Sequence, residues 1–140
     1  MPLSDDDAIR ELLELNRIAV VGCSSTPGKA AHEIPAYLQR QGYEIIPVNP
    51  FADEILGETA VDSLAEIDDE IDLVDVFRPS EEVAGIVDET VERTEAEGDI
   101  DAIWLQLGIH DDEAVAEAED AGLTVVEDRC MKVEHQRLVD

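Results

Sequence analysis

A chain of 140 residues, 44% of them apolar, is the size of one domain with a real core. It contains no run near the roughly 18 apolar residues that a membrane span needs. Nine Lys and Arg stand against 36 Asp and Glu, a formal net charge of -27 spread along the whole chain, which argues against nucleic acid or an anionic membrane surface as a partner.

The N-terminal stretch is acidic where a signal peptide would be basic, so the chain reads as cytoplasmic. Ser4 to Asp7 form an N-cap and an acidic first turn. Ile9, Leu12, Leu13 and Asn16 follow at helical spacing. Residues 1–16 are thus an N-terminal helix packing on a single domain, residues 17–140. The apolar run 18–21 predicts a buried first strand, and a loop of small residues carries the chain to Lys29. A helix over 31–41 puts Ile34, Tyr37 and Leu38 on one face; Pro35 suits it only within the first turn. Gly42 ends that helix, and a second strand, 43–48, stops at Asn49-Pro50.

Residues 51–58 read as a loop, and Asp62 and Ser63 can cap a short helix containing Leu64 and Ile67. The third strand, 73–77, stops at Arg78-Pro79, and Ser80 caps a longer helix running to Gly98. Residues 101–106 make the fourth strand. Asp111 then caps an acidic helix closed by Gly122, residues 123–127 make the fifth strand, and 128–140 are a mixed tail. Strands alternating with helices at this spacing predict an α/β fold: a Rossmann-like, doubly wound, five-stranded parallel sheet with helices on both faces.

In such a sheet ligands bind beyond the carboxyl ends of the strands, where the strand order reverses. Those ends carry Gly22-Cys23-Ser24-Ser25, Asn49-Pro50, Phe77-Arg78-Pro79, Gln106-Leu107-Gly108 and Asp128-Arg129-Cys130. Turn-formers, amides and two arginines describe a site that binds, and no catalytic constellation stands among them. The first loop, between a strand and a helix N-terminus, is suited to phosphate, because backbone amides and the helix end both favour an anion there.

A dinucleotide fingerprint would place glycines where Ser24 and Pro27 stand, and an acidic residue where the second strand ends in Asn49. An NAD(H)-binding module is therefore the weaker alternative. Lys29 and Arg78 suit a ligand with several phosphates. Cys23 and Cys130 belong to no metal-spaced set and read as free thiols. His32 and His110 read as surface or packing residues, and Trp104 as core. His135 with Cys130 and Glu134 does not make a metal set, so no metal site is expected.

The stretches VVGCSSTPGKAAHEIPAYLQRQGYEIIPVNP, VDVFRP, IWLQLGI and VVEDRCMKVEH, with ILG between the first two, resemble the stand-alone CoA-binding domain family, which is similar to the nucleotide domain of succinyl-CoA synthetase alpha subunits. The resemblance runs from about Arg17 to Arg137. It implies a protein that binds coenzyme A or an acyl-CoA without autonomous catalysis, or alternatively the nucleotide-binding component of a multi-chain acyl-CoA ligase. Carried over residue by residue, it puts Gly22, Ser24, Ser25 and Lys29 on the phosphates and Val48, Asn49 and Pro50 beside the adenosine part. Phe77, Arg78 and Pro79 would line the nucleotide, and Gln106 and Gly108 would lie near the pantetheine arm. The partner implied is a small-molecule nucleotide ligand, with room left for a protein partner or a homodimer. Two causes of the acidity compete: a salt-rich cytoplasm, which would screen self-repulsion, and a basic protein partner. The even spread of charge and the presence of only two lysines, Lys29 and Lys132, favour the halophilic one.

Overall fold

The structure, a computed structural model, describes residues 2–139. Its centre is a five-stranded parallel sheet of β1 (Arg17–Val21), β2 (Glu44–Val48), β5 (Leu73–Val76), β6 (Ala102–Leu105) and β7 (Thr124–Val126), in the order β2-β1-β5-β6-β7. β5 and β6 are buried at every position, as strands covered on both faces must be. Alternate residues feed two cores. Val74, Val76, Ile103 and Leu105 face α3 (Val83–Glu97) and α4 (Asp112–Asp120), while Ile18, Val20, Leu73 and Trp104 face α1 (Asp6–Leu12), α2 (Ala30–Arg40) and α5 (Met131–Leu138). The α/β architecture expected from the sequence is the one observed.

The chain leaves β1 for β2 on one side and then crosses to β5 on the other, so the order reverses between β1 and β5. Each outer edge is met by one residue from outside the sheet. Val61 donates to the Pro47 carbonyl at 3.1 Å and accepts from the Asn49 amide at 2.8 Å, and Leu3 donates to the Val125 carbonyl at 2.7 Å. Pro47 is tolerated because β2 is an edge strand, where no neighbour needs its missing N–H.

Several local expectations are corrected. Asp5, not Ser4, caps α1, accepting from the Ala8 amide at 3.1 Å. Residues 51–58 are not all loop. β3 (Glu54–Ile55) and β4 (Glu58–Thr59) form a hairpin, turned by Leu56 and Gly57 at positive φ. The short helix after Ser63 is one 3-10 turn, Leu64–Glu66, without a side-chain cap. Ser80 opens another 3-10 turn ahead of α3, and its hydroxyl accepts from the His110 amide at 3.2 Å instead of capping. The mixed tail contains α5.

Pro35 lies beyond the first turn of α2. A proline there leaves the carbonyl four residues back without its helical donor. That carbonyl, of Ala31, accepts from the Ser24 amide at 2.9 Å. The break in the helix ladder is what ties the loop after β1 to the helix that follows it.

Candidate functional site

The loops after β1, β2 and β5 meet beside the point of strand reversal. Gly22, at φ +86, donates to the Val48 carbonyl at 3.0 Å. A Cβ at that position would fall 2.6 Å from Arg78 Cδ and 2.8 Å from the Phe77 carbonyl oxygen. Glycine is therefore required twice, for the left-handed backbone and for the close approach of two loops. Asn49 joins the third: its side-chain amide donates to the Cys23 carbonyl at 2.9 Å, and its side-chain oxygen accepts from the Phe51 amide at 2.8 Å.

Between them lies a cleft of about 530 Å³. Of the residues expected at the site, Gly22, Ser24, Lys29, Val48, Asn49, Pro50, Phe77 and Arg78 line it together. Ser25, Pro79, Gln106 and Gly108 do not.

Two features give the cleft its chemistry. Lys29 is the N-cap of α2 and supplies no side-chain cap. It is exposed and has no ion-pair partner among the described residues, so its ammonium stands free beside uncapped first-turn amides. Ser24 holds the loop, its hydroxyl accepting from the Thr26 amide at 3.0 Å. His32 Nδ1 lies 2.8 Å from the Ser24 carbonyl oxygen, a contact in which the ring nitrogen donates, so this histidine braces the same loop.

Carboxylates already sit on two of the donors. Glu33 accepts from the Gly28 amide at 3.2 Å. Glu82 grips Arg78 at 3.2 and 2.7 Å, and that hydrogen bond holds the Glu82 carboxyl below its usual range. Glu82, Glu89 and Asp62 also line the cleft.

Gln106 is buried, its side-chain N–H donating to Asp75 at 2.5 Å and its oxygen accepting from the Met131 amide at 3.2 Å. The Gly108 amide is taken by the Asp128 carboxylate at 2.6 Å.

Sequence reasoning passed over Asp75, which lies at the centre of the sheet with Oδ2 unpartnered. Burial pushes its carboxyl up to about 7, against the pull of the Gln106 and Val76 hydrogen bonds. The only signal was an acid inside an apolar strand. Burial, followed by the charge of Asp75, pushes the Cys23 thiol up to about 12, so Cys23 packs as a small apolar side chain. Trp104 is core, and its indole N–H donates to the Arg129 carbonyl at 2.9 Å. No group of three potential metal ligands occurs among the described residues.

The sequence profile of the family described as "CoA binding domain" matches residues 16–136. The chain is 45% identical over 128 residues to the uncharacterized protein YneT of Bacillus subtilis, covering 91% of each. To the ADP-forming acetate–CoA ligase II of Archaeoglobus fulgidus it is 33% identical over 87 residues, 61% of this chain and 13% of that protein. Among solved structures, a hypothetical protein from Pyrococcus horikoshii OT3 has a TM-score of 0.91 at 34% identity, covering 100% of this chain and 97% of the other. The apo dinucleotide-forming acetyl-coenzyme A synthetase 1 of Ca. Korarchaeum cryptofilum shares the fold, with a TM-score of 0.73 at 23% identity over 86% of this chain and 28% of that one.

Proposed function

Because the chain belongs to the CoA binding domain family, we propose that it binds coenzyme A in the cleft between the loops after β1, β2 and β5, as a cytoplasmic binding module without chemistry of its own. The observation that carries this reading is one cleft, at the strand reversal, lined by eight of the residues expected to hold the nucleotide. Its free cation, Lys29, stands at the N-terminus of α2, where a diphosphate would also meet first-turn amides. Gln106 and Gly108 take a different part. Neither lines the cleft, and the Gln106 side-chain amide and the Gly108 N–H are engaged within the protein, so these two groups are not free to hold the pantetheine arm.

Asn49 supports coenzyme A over NAD. It offers no carboxylate to a ribose diol, and both ends of its amide are held by backbone. Calorimetric titration in molar KCl tests the reading: coenzyme A is expected to bind more tightly than NAD, and equal or reversed affinities overturn it. The likeness to an ADP-forming acetate–CoA ligase over 61% of this chain favours a second reading, a nucleotide-binding component of a multi-chain acyl-CoA ligase. Co-purification with an ATP-binding ligase subunit would select it.

A further inference from the structure

The cleft is unevenly charged. Its two cations, Lys29 and Arg78, are outnumbered by the carboxylates of Asp62, Glu82 and Glu89. Both cations belong to the side that follows β1 and β5: Lys29 begins α2, and the Arg78 stem lies against Gly22. The opposite side, which follows β2, presents Asn49, Pro50, Phe51, Asp62 and Ser63, and among the described residues no cation lines it. Backbone donors are engaged there as well. The Asn49 N–H donates to the Val61 carbonyl at 2.8 Å and the Phe51 N–H to Asn49 Oδ1 at 2.8 Å. The Ala52 N–H donates to the Asn49 carbonyl at 3.4 Å and the Asp62 N–H to Glu66 at 2.7 Å. Pro50 has no N–H, and the Asn49 side-chain amide is given to the Cys23 carbonyl. The Ser63 hydroxyl is uncharged and follows Asp62 in the chain. Phe51, 95% exposed, adds an aromatic ring left in water. This side can receive a flat neutral base, but it offers a dianion nothing to balance its charge.

Besides its diphosphate, coenzyme A carries a phosphate on the 3′-oxygen of its ribose. The free ammonium of Lys29 serves the diphosphate, and Arg78 is already balanced by Glu82 at 2.7 Å. Resting on the reading that the cleft holds the diphosphate at Lys29 and the adenosine beside Asn49 and Pro50, we propose that the site selects against the 3′-phosphate. Its preferred ligands are adenosine diphosphate esters with a free 3′-hydroxyl, 3′-dephospho-coenzyme A ahead of coenzyme A itself, and Phe51 and Asp62 are the residues that set the choice. A free hydroxyl needs no counter-charge. The phosphate brings further negative charge to the side that carries Asp62, in a protein whose net charge is -27.

Coenzyme A and 3′-dephospho-coenzyme A are titrated calorimetrically into the full chain, in molar KCl and at the lowest salt at which it remains folded. A like-charge contact at an exposed position costs about what the opposite pair gains, so the dephospho form is expected to bind about threefold more tightly at the lower salt. The gap should close in molar KCl, where the repulsion is screened. Two exposed positions read the cause. Asp62→Asn should narrow the gap. Phe51→Lys, which puts a cation on that side, should reverse it, by comparison with Phe51→Leu, which removes the ring alone. Coenzyme A binding as tightly as the dephospho form at the lower salt, or more tightly, overturns the selection, and so does a ratio that neither Asp62→Asn nor Phe51→Lys moves. Failure of both ligands to bind removes the reading of the cleft on which it rests.

Discussion

Lys29 and Arg78 differ in how ready each is for a ligand. Lys29 is free, whereas Arg78 must exchange Glu82 for a phosphate oxygen. Lys29→Ala should cost ~1–3 kcal/mol in coenzyme A affinity, about 5- to 150-fold. Lys132→Ala, which removes only an ammonium 5.3 Å from the Tyr37 ring centroid, should leave affinity unchanged. Glu82→Gln should act in the opposite direction. An exposed ion pair is worth about 0.2–1 kcal/mol, so releasing Arg78 is expected to tighten binding up to about fivefold, and calorimetry reads both signs.

Asp75 gives a pH prediction. In the unfolded chain its carboxyl ionises near the ordinary 3.8, whereas in the folded chain it stays protonated to about pH 7. Its contribution to stability is therefore fully present below about pH 4, is lost as pH rises towards 7, and is level above that. Such a displacement is worth on the order of 4 kcal/mol. Asp75→Asn keeps an acceptor for Gln106 and cannot ionise. Denaturant unfolding should show the variant gaining on its parent between pH 4 and 8 by up to that amount, and a constant difference would mean that the carboxyl is not buried in its neutral form.

Among the elements, α2 carries the most consequence for the site. Pro35→Ala supplies an N–H that competes with Ser24 for the Ala31 carbonyl. The variant is expected to melt no lower than the parent, because alanine is the better helix former by about 3 kcal/mol. It should nevertheless bind coenzyme A a few-fold more weakly and exchange its Ser24 amide faster. Undiminished Ser24 protection would show that the loop is held without this bond. The sequence revealed α2 and all five sheet strands, because their apolar residues recur at the period of the element. It concealed α5, whose buried face is Met131, Glu134 and His135. Glu134 is inside because Arg129 and Arg137 pair with it at 3.1 and 2.6 Å, and His135 because Tyr37 hydrogen-bonds it at 2.8 Å. A face built from paired polar groups leaves no hydrophobic period to read. Arg93 was hidden for the same reason. It is buried against the Leu64 and Ile67 carbonyls at 2.7 and 2.6 Å, and only tertiary structure brings those acceptors to it. The site loops were legible because their position follows from topology. That Gln106 would turn inward was not, since an amide at a strand end can face either way.

At the scale of the molecule, a net charge of -27 opposes both the compact state and an anionic ligand. Six of the cations (Arg10, Arg17, Arg78, Arg93, Arg129 and Arg137) are held in ion pairs, so little positive charge is left to offset that field. Melting temperature is expected to rise between dilute buffer and molar KCl, where the Debye length falls to about 3 Å. Coenzyme A affinity should rise over the same interval, contrary to the usual salt dependence of phosphate binding. A flat or falling melt would favour a basic protein partner as the reason for the acidity. Affinity that weakens with salt would mean that the Lys29 contact outweighs the overall repulsion.

Val61 along β2 and Leu3 along β7 occupy the two margins where another backbone could dock. A sheet met at both margins in this way offers a neighbouring chain fewer free backbone groups to pair with, so it is a poorer template for strand-to-strand polymerisation. Any homodimer must then be assembled from side chains on helices and loops, where single substitutions can dissolve it.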